Sequence, residues 1–186
     1  MKAIIDEKHF GTKRLFENAV FDIPVFSHTA ILGPSGCGKT TLMRILSGLD
    51  KDFAGRIENG PRLPVVLFQE DRLQERLSVI SNLMAVTEDR ERACSILSSL
   101  SLSGEERTTV RELSGGMKRR VAMARVLLLD SDYLFLDEPF RALDAESRIT
   151  AARLFLQYAE GRTLVFITHD EDDIELLKAD TVFRLG

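Results

Sequence analysis

Thr29-Ala30-Ile31-Leu32-Gly33-Pro34-Ser35-Gly36-Cys37-Gly38-Lys39-Thr40 joins an apolar run, a glycine-rich turn and the first residues of a helical pattern. Gly33 to Thr40 fit the template G-x-x-x-x-G-K-[ST] with no substitution. Such a loop turns successive backbone N–H groups inward and, with the N-terminus of the next helix, forms a cradle for a polyphosphate. Glycines are required because a Cβ would obstruct both the unusual dihedrals and the close approach of phosphate. Lys39 then reaches the β- and γ-phosphates, and the Thr40 hydroxyl ligates Mg²⁺. Strand, loop and helix in register separate this stretch from an ordinary glycine-rich turn. It predicts a bound nucleoside triphosphate.

After the loop, Leu42, Ile45, Leu46 and Leu49 recur at i, i+3, i+4 and i+7, the stripe of an amphipathic helix, with Gly48 as its stop signal. Before the loop, short β-like stretches include Phe21-Asp22-Ile23 and Val25-Phe26. After it, Leu63–Phe68 reads as a buried strand, with Pro64 tolerated near its start. From about Ser78 to Leu129 the pattern turns helical, in segments at Val79–Met84, Ala93–Leu100 and Val121–Leu129. Strand signals return at Tyr133–Leu136, Leu164–Ile167 and Val182-Phe183, with helices expected at Ala145–Tyr158 and Glu171–Leu177. Strands alternating with helices predict an α/β fold on a mainly parallel, covered sheet. Short N-terminal β stretches and a helical insertion at about 70–129 complete it.

The chain has 186 residues, enough for one well-buried core and too few for two ordinary domains, so 1–186 is expected to be one domain. Its composition is that of an ordinary globular protein: 44% hydrophobic, 29% charged, without Trp. A net charge of −4 argues against nucleic acid as a partner, since such domains are usually basic. No apolar run approaches the roughly 20 residues that span a bilayer. Charge at Asp6 and Glu7 comes too early for a signal peptide. Cys37 lies in the phosphate loop, where a disulfide would distort the cradle, so Cys37 and Cys94 are expected to be free thiols in a reducing cytosol.

Two further motifs carry chemistry. Leu134-Phe135-Leu136-Asp137-Glu138 is an apolar strand ending in two carboxylates, at the sheet edge where ligands of parallel folds bind. Asp137 is expected to hold Mg²⁺ and Glu138 to act as general base on the attacking water. Alone, such a pair is more often a helix cap; a phosphate loop upstream favours catalysis. Leu113-Ser114-Gly115-Gly116-Met117 opens a helix and forms a second anion-binding terminus. One nucleotide needs only one cradle per chain, so the second is expected to close over a nucleotide held by another subunit.

The segments Gly33–Thr41, Leu113–Met117 with Lys118–Arg125, and Leu136-Asp137-Glu138-Pro139 together resemble the ATP-binding cassette (ABC) ATPases, P-loop NTPases of the RecA-like class. The family signature usually reads Leu-Ser-Gly-Gly-Gln, so Met117 departs at the last position while Ser114, Gly115 and Gly116 are kept. The resemblance implies that Gly33, Pro34, Ser35, Gly36, Cys37, Gly38, Lys39, Thr40 and Thr41 bind ATP, with Lys39 also catalytic. It assigns Gln69 to Mg²⁺ and the attacking water, His169 to the γ-phosphate, and Phe10 to stacking on adenine. Ala142-Leu143-Asp144 matches the loop that crosses the dimer interface, which adds Asp144 to the nucleotide site. Thr40, Gln69 and Asp137 form the implied Mg²⁺ set.

The resemblance implies a hydrolysing subunit that pairs head to tail with a second ABC ATPase subunit, as homodimer or heterodimer. It would energise integral-membrane permease subunits from the cytoplasmic face. The segment Phe68–Leu73, followed by Val79–Leu83, resembles importers of the nitrate, sulfonate and taurine type, which implies an extracytoplasmic substrate-binding protein as a further partner. The spacings from Lys39 to Gln69 and from Gln69 to Ser114 are short for the family, and the chain stops just past its last strand signal. The resemblance therefore implies a small, trimmed N-terminal antiparallel β part and a trimmed helical subdomain, with no C-terminal regulatory domain expected. The alternative is a soluble ABC ATPase acting on a macromolecular complex, but neither a second cassette nor a long coiled coil is present. A P-loop kinase would not need Leu113–Met117. A non-hydrolysing cassette is disfavoured by the presence of both Glu138 and His169.

Overall fold

Apolar strands and amphipathic helices alternate along the chain in the computed structural model, which describes residues 1–186. The strands are β1 (Lys2–Phe10), β2 (Lys13–Asp22), β3 (His28–Leu32), β4 (Ala54–Glu58), β5 (Pro64–Leu67), β6 (Tyr133–Asp137), β7 (Thr163–Ile167) and β8 (Thr181–Arg184). The helices are α1 (Lys39–Leu46), α2 (Val79–Met84), α3 (Arg90–Ser99), α4 (Gly115–Leu127), α5 (Ala145–Tyr158) and α6 (Asp172–Leu176). A short 3₁₀ turn covers Val110–Glu112. The chain folds as two compact units, one of Met1–Val66, Ser131–Asp137 and Gly161–Gly186, the other of Leu67–Asp130 and Glu138–Glu160.

The first unit holds both sheets. β2, β1 and β4 form an antiparallel sheet, with β1 in the middle. The larger sheet has the order β5-β6-β7-β3-β8, and its β6–β7, β7–β3 and β3–β8 pairs are parallel. Every residue of β6 and β7 is buried, as expected of central parallel strands covered on both faces. Ile31, Leu42, Met43, Ile45, Leu46, Phe135, Val165 and Ile167 pack in one core with Ala3, Ile5, Phe21 and Ile23 from the N-terminal region. Phe21 stands edge-on to Phe16 and to Phe183 of β8, with ring centroids 5.8 and 5.4 Å away, so aromatic packing ties the two sheets together.

The second unit is helical. Leu83, Leu97, Val121, Ala122 and Met123 are buried. Asp89 caps α3 through the Arg92 N–H at 2.9 Å, and Ser78 caps α2 through that of Ser81 at 3.2 Å. Buried Asn82 fastens the segment before α2. Its Oδ1 accepts from Gln74 N at 2.7 Å, and its Nδ2 donates to Gln74 O and Ser78 O.

Two local expectations need correction, and one strand was not foreseen. Val25-Phe26 is a turn, with Phe26 at φ 57° and the Ser27 hydroxyl donating to Pro24 O at 2.7 Å. Proline has no N–H to give a ladder, so the turn closes where a strand was expected. Leu49 lies beyond the end of α1 and is exposed, because Gly48 at φ 74° ends the helix first. β4 gives no apolar alternation in sequence and exists through its pairing with β1.

Phe135 is fully buried at the centre of the larger sheet. Phe135→Ala is expected to cost about 3–5 kcal/mol, read from urea unfolding midpoints with an unchanged slope. A loss near zero would show that this sheet does not carry the core.

Candidate nucleotide site

In the first unit, β3 delivers the chain to the glycine loop, and α1 leaves it with Gly38 as N-cap at φ 104°. The first N–H groups of a helix have no partner within it, so the loop and the start of α1 present a concentration of backbone donors. Gly33 is required sterically: a Cβ there would lie 2.8 Å from Cys37 Sγ and run into the carbonyl of Leu185. The Lys39 ammonium donates to Gly33 O at 2.7 Å and Pro34 O at 2.9 Å, which holds it over its own loop. Thr40 Oγ1 donates to Asp137 Oδ2 at 2.9 Å, joining α1 to the C-terminal end of β6. Asp137 is only 3% exposed. These two hard oxygen donors, close together at the sheet edge, suit a small divalent cation such as Mg²⁺.

Register places the other end of the sheet's chemistry beside them. Ile31 pairs with Ile167, and Ile167 with Asp137, so the loop, Asp137 and the residues after β7 share one edge. Thr168 N donates to Ile31 O at 3.3 Å, and its hydroxyl donates to the buried carboxylate of Asp173. Asp170 N donates back to Thr168 Oγ1 at 3.1 Å, so the chain is pinned on both sides of His169. Phe10 ends β1, is 74% exposed, and pairs in register with Lys13.

Lys13 and Arg14 were not singled out in the sequence, yet the structure gives them a place at the site. Lys13 Nζ donates to Gly36 O at 2.9 Å. Both basic residues, with Leu15, Pro34–Cys37 and Gly186, line a cavity of about 320 Å³ against the loop. The available signal was the two-residue turn after Phe10, which sends both cations back toward the loop.

The second unit holds the remaining candidates. Gln69 is exposed two residues beyond β5. Ser114 caps α4, its Oγ accepting from Met117 N at 3.2 Å. The glycine at 116 is needed because a Cβ there would lie 2.8 Å from Ala142 O, so the start of α4 packs on the backbone before Asp144. Asp144 caps α5 through Ser147 N at 2.8 Å. Hydrogen bonds from the Ser147 backbone and hydroxyl hold its carboxyl below the usual range. Glu138, directly after β6, has the left-handed φ of 47°. For a residue with a Cβ this costs on the order of 1 kcal/mol and persists only where the surroundings impose it.

A family model described as ABC transporter matches residues 16–141, more than half of the chain. The aliphatic sulfonates import ATP-binding protein SsuB 2 of Pseudomonas syringae pv. tomato is 37% identical, over 98% of this chain and 80% of its own length. SsuB 1 of Paracoccus denitrificans, of the same description, is 40% identical over 95% of this chain and 75% of its own. The dimeric ATP-binding cassette MJ0796, solved with ADP and phosphate, superposes with a TM-score of 0.83 at 23% identity, covering all of this chain and 94% of that one. That likeness shows the P-loop cassette fold. By family model and relatives together, the chain belongs to the ABC transporter family, as one of its ATP-binding, ATP-hydrolysing subunits.

Proposed function

We propose that this subunit powers an importer by clamping ATP in a head-to-tail pair of cassettes attached to a separate membrane permease. No helix is long and apolar enough to cross a membrane, and the relatives are import ATP-binding proteins, which supports a separate permease as the membrane path. The resemblance of Phe68–Leu73 to the nitrate, sulfonate and taurine importers, and the aliphatic sulfonate import subunits among the relatives, support a small anion such as an aliphatic sulfonate as cargo. A substrate-binding protein would deliver it, and the subunit would sit peripherally on the cytoplasmic face. The two compact units are read as parts of one nucleotide-binding domain.

The observation that carries the reading is the 2.9 Å contact of Thr40 with Asp137 at the edge where the glycine loop begins. In the roles we propose, the loop amides and Lys39 neutralise the triphosphate, and Phe10 stacks on the base. Thr40, Asp137 and Gln69 would hold Mg²⁺, whose positive charge would offset that of the triphosphate. Glu138 removes a proton from the attacking water, whose oxygen displaces ADP from the γ-phosphorus. His169 holds the γ-phosphate in line. Ser114, Gly115 and Gly116 of one chain close over the ATP of the other, with Asp144 at that junction.

Lys39→Ala should abolish hydrolysis and weaken ATP binding by roughly 10- to 100-fold, since a charge-assisted contact contributes about 1.5–3 kcal/mol. Near-normal turnover would remove the basis of the assignment. Glu138→Gln should bind ATP normally and hydrolyse it about 10²–10⁴-fold more slowly, because an amide holds a water but takes no proton. Wild-type turnover in that variant would mean another base.

Closure by a second chain is tested through assembly. The Glu138→Gln chain should be monomeric without nucleotide and dimeric with ATP, by light scattering on a sizing column. Adding Ser114→Arg should leave ATP binding intact and block that dimer. A Ser114→Arg chain that still dimerises on ATP would contradict the shared site.

A further inference from the structure

Arg119, in the second turn of α4, is a buried cation, 2% exposed. Burying a guanidinium is unfavourable unless its donors are met, and here they are met by loop backbone. Nε donates to Pro139 O at 2.9 Å and Nη2 to Glu138 O at 2.8 Å. Nη1 donates to Phe68 O at 2.7 Å and to Asp71 Oδ1 at 3.1 Å. The carbonyl of Phe68 belongs to the peptide that begins Gln69, and Glu138 is the residue held at φ 47°. Further along α4, Arg125 repeats the device. It donates to Asp71 O at 3.0 Å and to Arg72 O at 2.8 Å, and Arg72 is itself left-handed at φ 49°.

We infer that Arg119 is a positioning residue for hydrolysis: its planar fork fixes the backbone of Glu138 and of the peptide entering Gln69 against each other. Within the second unit one rigid group thus spans the two segments whose side chains must meet a single water. The inference rests on the reading that Glu138 is the base and Gln69 its companion. Lysine cannot replace arginine here, because a single ammonium cannot meet both carbonyl sets in the geometry of a fork. An arginine that merely supported the fold would lower stability without separating binding from turnover. A positioning arginine must separate them, since the loop that binds ATP lies in the other unit.

The test compares Arg119→Lys and Arg119→Met with the wild-type full chain. In Arg119→Lys, the affinity for ATP and the KM should stay within about two-fold, while kcat falls by about 10- to 100-fold, the penalty of a small misplacement. Amide hydrogen exchange should quicken at 68–72 and 138–141 and stay unchanged within α4. Arg119→Met should show the same split, and if it does not fold, the lysine variant decides. Wild-type kcat in Arg119→Lys, a rise in KM alone, or slowed turnover with unaltered exchange at both segments would each overturn the inference. Glu138→Gln measured alongside separates the two failures. Full turnover there removes the assigned base, whereas an inert Glu138→Gln beside a fully active Arg119→Lys removes the positioning role alone.

Discussion

Unpaired backbone donors held in one place are the feature on which the rest of the site depends. A helix that starts immediately after a glycine loop cannot satisfy its first N–H groups internally, and no side chain caps α1. Such a terminus calls for an anion, and Lys39 adds a full positive charge beside it. The parallel sheet brings the complementary chemistry to the same edge. Its register sets Asp137 level with the residues leading into the loop and into His169. A cluster of positive potential facing a buried carboxylate is what a triphosphate carrying a divalent cation requires. The buried strands β6 and β7 give that edge its rigidity.

The second unit solves a different problem, the placement of loops under strain. Glu138, Ala142 and Arg72 all adopt left-handed backbone without being glycine. Two of the three have carbonyls taken by arginines of α4. The same helix begins at Ser114 and packs its second glycine against Ala142. One element therefore touches the signature turn, the loop before Asp144, the peptide of Gln69 and the backbone of Glu138.

Much of this was legible in the sequence, for reasons that can be named. The glycine loop, the acid pair after an apolar strand and Ser114-Gly115-Gly116 are local patterns whose chemistry follows from residue type and spacing. The helix at Ala145–Tyr158 was bounded to the residue, because Asp144 is a strong N-cap before a clear apolar period. What escaped was non-local. β4 has no period of its own and is created by β1. Lys13 reaches Gly36 only because a hairpin turns it back. Arg119 stood unremarked within Lys118–Arg125; only the fold shows it buried and donating to three loop carbonyls and to Asp71.

The central claim, that backbone N–H groups of this loop receive a triphosphate, is tested most directly by nitrogen–proton NMR of the full chain titrated with ATP and Mg²⁺. The amides of Gly36, Gly38, Lys39 and Thr40 should move downfield as they bond to phosphate oxygens, and AMP, lacking the outer phosphates, should leave them in place. Amides that stay unmoved by ATP, or that respond equally to AMP, would contradict the account.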